Sequence, residues 1–517
     1  MSLQQQVAEP MRSDWGVTLV RRHGQIATLS AAFACTLIFF LPRAMSPWVW
    51  FYDENGALYG FIGSNYYRTG LAATRGGAQH WTSFDGPVPM PEYYSTHPPL
   101  FPWLCGLAQW LLGTHPFAVR LVPTLGQLGS LIPLFLIGRR LFGPEAAGWG
   151  TLLYATLPMC AYFGYAVCYE SLNNMFILWA VYFYMRCEQE RWSWRLASFV
   201  SLALLAGMWT DWPAYFVAMG IGLDWLLRER GWCRLRALVP WGTGLVSFAL
   251  FTAFIYQLGG TGGGGLGSLL NAMKNRTGIS PDETYTLAQF AKFIALQNVQ
   301  LYGLGIAFLV AGLCIIRDGR VWRPLLVLLA TATLHVALFS YGAMTHEYWT
   351  FYFVGPVSLS AMALFARWHQ SAVAAPLFLT ASLLLIVQSA LVIADYSTGY
   401  YRQWATAHII LGKTISTQAR DGEVVLMSFG WGDGAIVAYY AGRPIVRVGS
   451  VAELERIRRH PHFVGGYLVK TWNLIEGERA EWLDSLECIG ETELQGDRMR
   501  VLKVPPDRES GVGTHGA

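Results

Sequence analysis

The sequence predicts an α-helical polytopic membrane protein of about eleven transmembrane helices, followed by a small extracytoplasmic α/β domain at the C-terminus. Two observations indicate lipid as the solvent: 53% of the 517 residues are hydrophobic and only 14% are charged, against about 25% charged in a typical soluble domain. The third observation is that arginines cluster after alternate apolar segments. The formal net charge is only +4, which gives no indication of a nucleic-acid partner.

The N-terminal segment carries Arg12, Arg21 and Arg22 before an apolar run from Gln25 to Leu41. A cleaved signal peptide has a shorter apolar core and a small-residue cleavage site, so this run is predicted to be a retained membrane helix. Such a helix needs about 20 mostly apolar residues. The segments that meet this length and composition are 25–43, 117–138, 146–165, 171–186, 196–211, 213–228, 237–257, 300–316, 324–341, 349–366 and 373–394.

The arginines predict the orientation, because short loops rich in Lys and Arg remain in the cytoplasm. They follow the second, fourth, sixth, eighth and tenth segments: Arg139 and Arg140, Arg186 to Arg195, Arg228 to Arg236, Arg317 to Arg323, and Arg367. A twelfth apolar run, 100–112, is short and flanked by proline, and would reverse this pattern if it crossed the membrane. We therefore predict that it lies at the interface, with the N-terminus in the cytoplasm.

The chain is predicted to divide into a transmembrane domain, 1–394, with a first periplasmic loop at about 44–116, and a periplasmic domain, 395–517. Alternation and helical periodicity in the tail predict its elements. The predicted strands are 423–429, 444–448, 466–470 and 498–504, and the predicted helical or amphipathic segments are 451–459 and 476–486. The glycine run 259–265 lacks the Lys-Ser/Thr of a phosphate loop and is predicted to be a flexible loop.

Two adjacent carboxylates, Asp53 and Glu54, follow the first helix, and Glu170 falls at the outer end of the third. A solvated helix end would explain an isolated acidic pair. However, a carboxylate near membrane level is costly unless it is solvated or paired, which favours a functional role. His97 precedes Pro98 and Pro99, which restrict the backbone and remove two N–H donors, as expected of a rigid re-entry point beside a cavity.

Cations share this outer side, and histidines lie at a similar depth. The cations are Arg68, Arg75, Lys274, Arg276 and Lys292, and the histidines are His97, His335 and His346. A carboxylate can take the proton from an incoming hydroxyl, and cations can stabilise a departing phosphate. The combination indicates group transfer from a lipid phosphate.

These residues, taken in order, resemble the GT-C glycosyltransferases that use polyprenyl-phosphate sugars. This superfamily includes the protein O-mannosyltransferases and the bacterial transferases that add aminoarabinose or galacturonic acid to lipopolysaccharide. The resemblance covers about the first 190 residues, and a later turn at 346–348 also matches. The residues that carry it are Asp53-Glu54, His97-Pro98-Pro99-Leu100, Gly113, Phe117, Arg120, Arg139-Arg140-Leu141-Phe142-Gly143, Pro158, Glu170 and His346-Glu347-Tyr348.

The resemblance implies an inverting transfer with Asp53 as the general base. It implies that Glu54 and Glu170 orient the acceptor, a loop residue or a metal ion, and that His97 shapes the first loop. The residues expected to bind substrate are His97, Arg68, Lys274, Arg276, His346 and Tyr348. One departure is Tyr165, which stands where many relatives have an arginine, so other cations must bind the phosphate.

The resemblance further implies a polyprenyl-phosphate sugar as donor, a lipid, glycan or protein as acceptor, and a place in the bacterial inner membrane. No organic cofactor is indicated, and a divalent metal cation is left open because oxygen ligands in loops are weak evidence for one. Two alternatives remain. A transporter or flippase would show inverted repeats and midplane polar residues, which this sequence lacks; a membrane scaffold would leave the ordered first-loop residues unexplained.

Overall fold

The computed structural model describes residues 15–190, 192–260, 265–279, 285–427, 431–470, 481–494 and 497–507. Several sequence predictions fall outside the described residues: the basic residues Arg12 and Arg191, the middle of the glycine run (261–264), the end of the first predicted strand (428–429), and 476–480 of the amphipathic segment.

The N-terminal part consists of one long helix and a structured loop. The elements are α1 (Trp15–Ala44), α2 (Asp53–Arg68), the antiparallel hairpin of β1 (Gln79–Ser83) and β2 (Met90–Tyr93), and α3 (Leu100–Leu112). Helices α2 and α3 pack at glycines, since a Cβ on Gly63 would lie 3.0 Å from the amide nitrogen of Gly106. This contact buries one face of α3, while Leu107, Trp110 and Leu111 on its other face are exposed. Its location at the membrane interface stays a prediction.

The helical bundle follows. Its first helices are α4 (Pro116–Phe142), α5 (Pro144–Thr156), α6 (Pro158–Phe163), α7 (Glu170–Gln189), α8 (Trp194–Met208), α9 (Pro213–Arg228) and α10 (Leu238–Gly259). The later helices are α11 (Leu266–Arg276), α12 (Leu287–Tyr302), α13 (Leu304–Ile315), α14 (Gly319–Leu338), α15 (Ser340–Thr345), α16 (Val354–Trp368), α17 (Ala374–Tyr396) and α18 (Tyr400–Gln418). Short 3₁₀ helices span Gly231–Ala237 and Glu347–Phe353.

Within the described residues, six helical segments are long and apolar enough to cross a membrane, and a seventh results if the bent pair α12–α13 is one span. The six are Gly24–Ala44, Pro116–Phe142, Gly231–Gly259, Gly319–Leu338, Glu347–Trp368 and Ala374–Tyr396. The protein is therefore a multi-pass membrane protein, and the count of eleven spans stays a prediction.

Two predicted spans are interrupted. The segment 146–165 forms two helices, α5 and α6, because Pro158 cannot continue the hydrogen bonding of α5. The segment 300–316 crosses the junction of α12 and α13, where the axis bends by 100° at Gly303. Gly303 has a φ of +50°, a conformation that favours glycine.

The C-terminal region contains a five-stranded sheet flanked by helices. The remaining elements are β3 (Val424–Met427), α19 (Trp431–Ala441), β4 (Ile445–Arg447), α20 (Val451–Arg458), β5 (Gly466–Lys470), α21 (Glu481–Asp484), β6 (Cys488–Leu494) and β7 (Asp497–Val504). The strand order is β4-β3-β5-β7-β6, with β3, β4 and β5 parallel and the last two antiparallel to their neighbours. Its assignment as a separate periplasmic domain stays a prediction.

The C-terminal region packs on the first loop. The backbone N–H of Trp48 donates to the Tyr440 hydroxyl at 3.3 Å. Arg456 donates to the carbonyl of Phe84 at 3.1 Å, and the ring nitrogen Nε2 of His460 lies 2.8 Å from the carbonyl of Gly86. The sheet region is thus held against α2 and the hairpin.

The basic helix ends meet at the other end of the bundle. Glu188 pairs with Arg228, and lies 3.7 Å from Arg323. Glu190 pairs with Arg140 at 2.8 Å and Arg186 at 2.7 Å. Helix α7 has 20 residues and separates this basic end from Glu170 by about 27 Å.

Candidate active site

A cavity of about 430 Å³ lies at the end of the bundle away from the basic helix ends. Its wall comes from α2, the loop before α3, the start of α7, the end of α11 and the turn after α15. The lining residues are Tyr52, Glu54, Asn55, Tyr59, Tyr94, Thr96, His97, Cys168, Tyr169, Glu170, Arg276, His346, Tyr348 and Trp349. Six of the nine predicted site residues line it, so residues far apart in sequence are brought together here.

Asp53, the predicted base, does not line the cavity. Its Oδ1 accepts from Arg43 at 2.6 Å and its Oδ2 from Arg120 at 2.8 Å. Oδ2 also accepts from the backbone N–H of Trp50 at 3.0 Å, and the side chain is fully buried. Because both oxygens are committed to buried cations, this carboxylate closes the turn after α1.

Arg120 extends this buried cluster to the backbone of the first loop. Its guanidinium donates to the carbonyls of Arg43, Ser46 and Pro47 at 2.8, 2.5 and 3.1 Å. The guanidinium carbon Cζ also lies 4.3 Å from the centroid of the Trp48 ring, a cation–π contact. The loop between α1 and α2 is therefore fixed by one buried ion-pair network.

The turn at Tyr52 separates the two neighbouring carboxylates. Tyr52 has a φ of +63°, which is rare for a bulky residue and is found where surrounding contacts impose it. Its hydroxyl donates to the carbonyl of Thr345 at 3.0 Å, and its ring meets Tyr348 edge-on at 5.0 Å. Helix α2 starts directly afterwards, with Asp53 facing the arginines and Glu54 at the cavity.

Glu54 is half-buried and is held by one tyrosine. The Tyr401 hydroxyl donates to its carboxylate, and the backbone N–H of Glu54 donates to the same hydroxyl at 3.0 Å. Burial raises the pKa of Glu54 to about 7, against the lowering effect of the Tyr401 hydrogen bond. A carboxylate with a pKa near neutrality can accept a proton at physiological pH.

Glu170 is the second carboxylate of the cavity. It begins α7, where the helix dipole favours a negative charge. Its Oε2 is buried without a hydrogen-bond partner among the described residues. Such an acceptor is available to a hydroxyl or a cation that enters the cavity.

His97 is held between aromatic rings. Its Nδ1 lies 2.7 Å from the Tyr94 hydroxyl, and its ring stacks on Tyr169 at 4.5 Å. Its Nε2 lies 3.7 Å from Oδ1 of Asp211. Burial, together with the nearby charge of Arg276, keeps the pKa of His97 well below its usual value, so the imidazole is neutral at pH 7.

Arg276 is the cation of the cavity. Its guanidinium donates to the Thr96 hydroxyl at 3.3 Å and lies 5.5 Å from the centre of the Trp349 ring. Both partners are neutral, which leaves its charge uncompensated by a salt bridge among the described residues. It is therefore suited to bind an anionic group.

The other two predicted phosphate ligands are not brought to the cavity. Arg68 ends α2, about 22 Å along the helix from Asp53, and donates to the carbonyl of Gly442 at 3.2 Å in a separate cavity of about 520 Å³. Lys274 lies on α11 two residues before Arg276, about 200° around the helix, and does not line the cavity.

His346 and Tyr348 also line the cavity. Their rings stack at 5.2 Å, and the Asn55 amide donates to the Tyr348 hydroxyl at 3.5 Å. Burial lowers the pKa of His346 to about 4, so it faces the cavity as a neutral ring. Their role in substrate binding stays a prediction.

The three carboxylates considered as metal ligands are not gathered in one place, because Asp53 is paired with arginines. Among the described residues, no group of three or more His, Cys, Asp or Glu side chains is arranged to hold a metal ion. The carboxylates Glu54 and Glu170 face the cavity without a third acidic neighbour in its lining.

Sequence reasoning missed Tyr401 and Asp211 as neighbours of the site. Tyr401 lies 347 residues from Glu54, beyond the reach of any local pattern. Asp211 follows α8, and its Oδ2 accepts from the Tyr352 hydroxyl at 2.8 Å. Its position at the outer end of an apolar segment was the available signal.

Residues 96–256 match the family described as Dolichyl-phosphate-mannose-protein mannosyltransferase. The undecaprenyl phosphate-alpha-4-amino-4-deoxy-L-arabinose arabinosyl transferase of Edwardsiella ictaluri is 29% identical over 148 residues. This match spans 27% of the present chain and about a quarter (26%) of the relative. The matched family segment contains His97 and Glu170.

The fold is similar to solved structures over nearly the whole chain. ArnT from Cupriavidus metallidurans, bound to undecaprenyl phosphate, has a TM-score of 0.63 at 12% identity, covering 92% of this chain and 97% of that one. The oligosaccharyltransferase AglB from Archaeoglobus fulgidus, in complex with an inhibitory peptide and a dolichol-phosphate, has a TM-score of 0.52 at 14% identity, covering 86% and 69%. The chain therefore has the fold of these solved structures, and its similarity to polyprenyl-phosphate-sugar glycosyltransferases confirms the GT-C resemblance seen in the sequence.

Proposed function

We propose that this protein transfers a single sugar, with inversion, from a polyprenyl-phosphate donor to an acceptor hydroxyl on the periplasmic face of the inner membrane. The observation that carries the proposal is that Glu54, Glu170 and Arg276 line one cavity at the end of the bundle away from the basic helix ends. Undecaprenyl phosphate in the name of the Edwardsiella relative and in the Cupriavidus structure supports a polyprenyl donor. The acceptor is a hydroxyl on a lipid, glycan or protein.

The donor phosphate would sit at Arg276. As the bond between the sugar C1 and the phosphate oxygen breaks, both bonding electrons stay with the phosphate, and its charge grows. A fixed cation held in a protein cavity stabilises such developing charge more strongly than bulk solvent does. The polyprenyl phosphate then leaves as the second product.

Glu54 would act as the general base, in place of Asp53. The acceptor hydroxyl attacks C1 from the face opposite the phosphate, and its proton passes to the Glu54 carboxylate. Glu54 lines the cavity and has a pKa of about 7, whereas both oxygens of Asp53 are held by arginines. Glu170, with its unpaired Oε2, would accept a second hydrogen bond from the acceptor and orient it.

If Arg276 binds the donor phosphate, its replacement should lower activity, whereas replacement of another cation on α11 should not. Arg276→Gln is expected to lower kcat/KM for the donor about 10²-fold, because one charge-stabilising group is removed from the transition state. Lys274→Gln, on the same helix but outside the cavity, is the matched control and should stay close to wild type. Equal losses in the two variants, measured as release of polyprenyl phosphate, would remove Arg276 from the site.

The function itself is tested with the purified protein in detergent and a panel of synthetic polyprenyl-phosphate sugars. Release of polyprenyl phosphate together with a glycosylated acceptor is the expected result for at least one sugar. The alternative reading as a transporter or flippase predicts another outcome. Movement of the lipid-linked sugar across proteoliposomes, with no covalent product from any donor, would replace the proposal by that reading.

A further inference from the structure

The junction of α17 and α18 lies against the start of α2, where Glu54 lines the cavity. The backbone N–H of Phe51 donates to the carbonyl of Tyr396 at 3.0 Å. The hydroxyl of Tyr396 donates to the carboxylate of Glu347, and that of Tyr401 donates to Glu54. Two tyrosines at the helix ends on either side of this junction therefore each hold a glutamate of another segment.

The contact of Tyr401 with Glu54 is double. The same hydroxyl accepts from the backbone N–H of Glu54 and donates to its carboxylate. A single group that bridges the amide and the side chain of one residue restricts the orientation of that side chain. The Tyr401 ring is itself fixed, edge-on to Phe51 at 5.7 Å and against Trp404 at 5.0 Å.

The packing of α18 and α19 fixes the position of Tyr401. A Cβ on Gly412 of α18 would lie 2.8 Å from the carbonyl oxygen of Val437 on α19. In turn, a Cβ on Gly60 of α2 would lie 2.6 Å from the Tyr439 ring of α19. The two C-terminal helices and α2 thus form one closely packed unit around Glu54.

We infer that Tyr401 is a positioning residue for Glu54, so that the C-terminal region contributes to catalysis although no described residue after Trp349 lines the cavity. The inference rests on the proposed function of Glu54 as base. Tyr401 orients the carboxylate toward the acceptor and favours its ionised form.

The charged and titratable groups around Glu54 determine the direction in which its pKa moves when the Tyr401 hydroxyl is removed. Burial raises the pKa of Glu54, the hydrogen bond from Tyr401 lowers it, the charge of Asp53 raises it and that of Arg43 lowers it. The other titratable groups that sense Glu54 are Tyr52, Tyr162 and Cys168. Removing the Tyr401 hydroxyl therefore raises the pKa of Glu54, and a base that must be ionised then needs a higher pH.

The test compares Tyr401→Phe with Tyr396→Phe. The second variant removes a tyrosine hydroxyl that donates to Glu347, a carboxylate that does not line the cavity. In Tyr401→Phe, the acid limb of the pH profile of kcat/KM should move to higher pH. At pH values below the acid limb of the wild type, kcat/KM of Tyr401→Phe should be about tenfold lower than that of the wild type, the size expected for loss of a hydrogen bond to a charged group. Tyr396→Phe should keep the wild-type profile. An unchanged profile in Tyr401→Phe, or equal shifts in both variants, would overturn the inference.

A second readout needs no substrate. The infrared band of the protonated Glu54 carboxyl group is identified by its absence in Glu54→Gln. Following this band as the pH is changed reports the ionisation of Glu54 directly. We expect the titration to move to higher pH in Tyr401→Phe and not in Tyr396→Phe, and an unmoved band in Tyr401→Phe would overturn the inference. If the wild-type protein transferred no sugar while the band moved as expected, the proposed function would fail and the contact with Tyr401 would stand.

Discussion

Glu54→Gln is expected to lower kcat about 10²–10⁴-fold, the usual contribution of a general base, while the protein keeps its fold. Glutamine has the same shape and still offers an oxygen to the Tyr401 hydroxyl, but it cannot take a proton. The measurement is single-turnover transfer in detergent, with melting temperature as the check on folding.

The matched control is Glu347→Gln, since Glu347 also accepts from a tyrosine hydroxyl but does not line the cavity. It should retain most of the wild-type rate. A Glu54→Gln variant as active as Glu347→Gln would show that proton transfer uses another group.

Asp53→Asn is expected to destabilise the protein by about 3–5 kcal/mol, because it leaves Arg43 and Arg120 as buried cations without their counter-charge. The expected result is a lower yield of folded protein and a large drop in melting temperature. This is the opposite of Glu54→Gln, in which the fold persists and the chemistry is lost.

Asp85→Asn is the control for an ion pair on the surface. Asp85 pairs with Arg456, but 70% of its side chain is exposed, and such pairs contribute about 0–1 kcal/mol. If Asp53→Asn had wild-type stability but no turnover, the structural role of Asp53 would be contradicted. Asp53 would then be the general base, as the sequence predicted.

Much of the site could be predicted because its residues carry local signals. A histidine before two prolines and a carboxylate at the outer end of an apolar segment both stand out in a single sequence, and His97 and Glu170 lie at the cavity. The alternation of basic clusters predicted that they lie on one side of the membrane, and Glu188 of α7 pairs with Arg228 and lies 3.7 Å from Arg323.

The rest depended on tertiary contacts. The sequence could not distinguish Asp53 from Glu54, because their different surroundings arise from the left-handed turn at Tyr52 and from Arg120, 67 residues away. Strand β6 was missed because Glu491 and Glu493 make it polar, and its strand character comes from pairing with β7 at the sheet edge. The break between α5 and α6 at Pro158 was not predicted because the sequence on both sides of it is apolar.

The proposed function requires that the donor sugar reacts at its C1 carbon in the cavity lined by Glu54. The most direct measurement is the anomeric configuration of the product formed from a synthetic polyprenyl-phosphate sugar of known configuration, with wild type and Glu54→Gln side by side. We expect an inverted product with wild type and, in the same time, almost none with Glu54→Gln. A product of retained configuration, or equal product from both proteins, would contradict the proposed function.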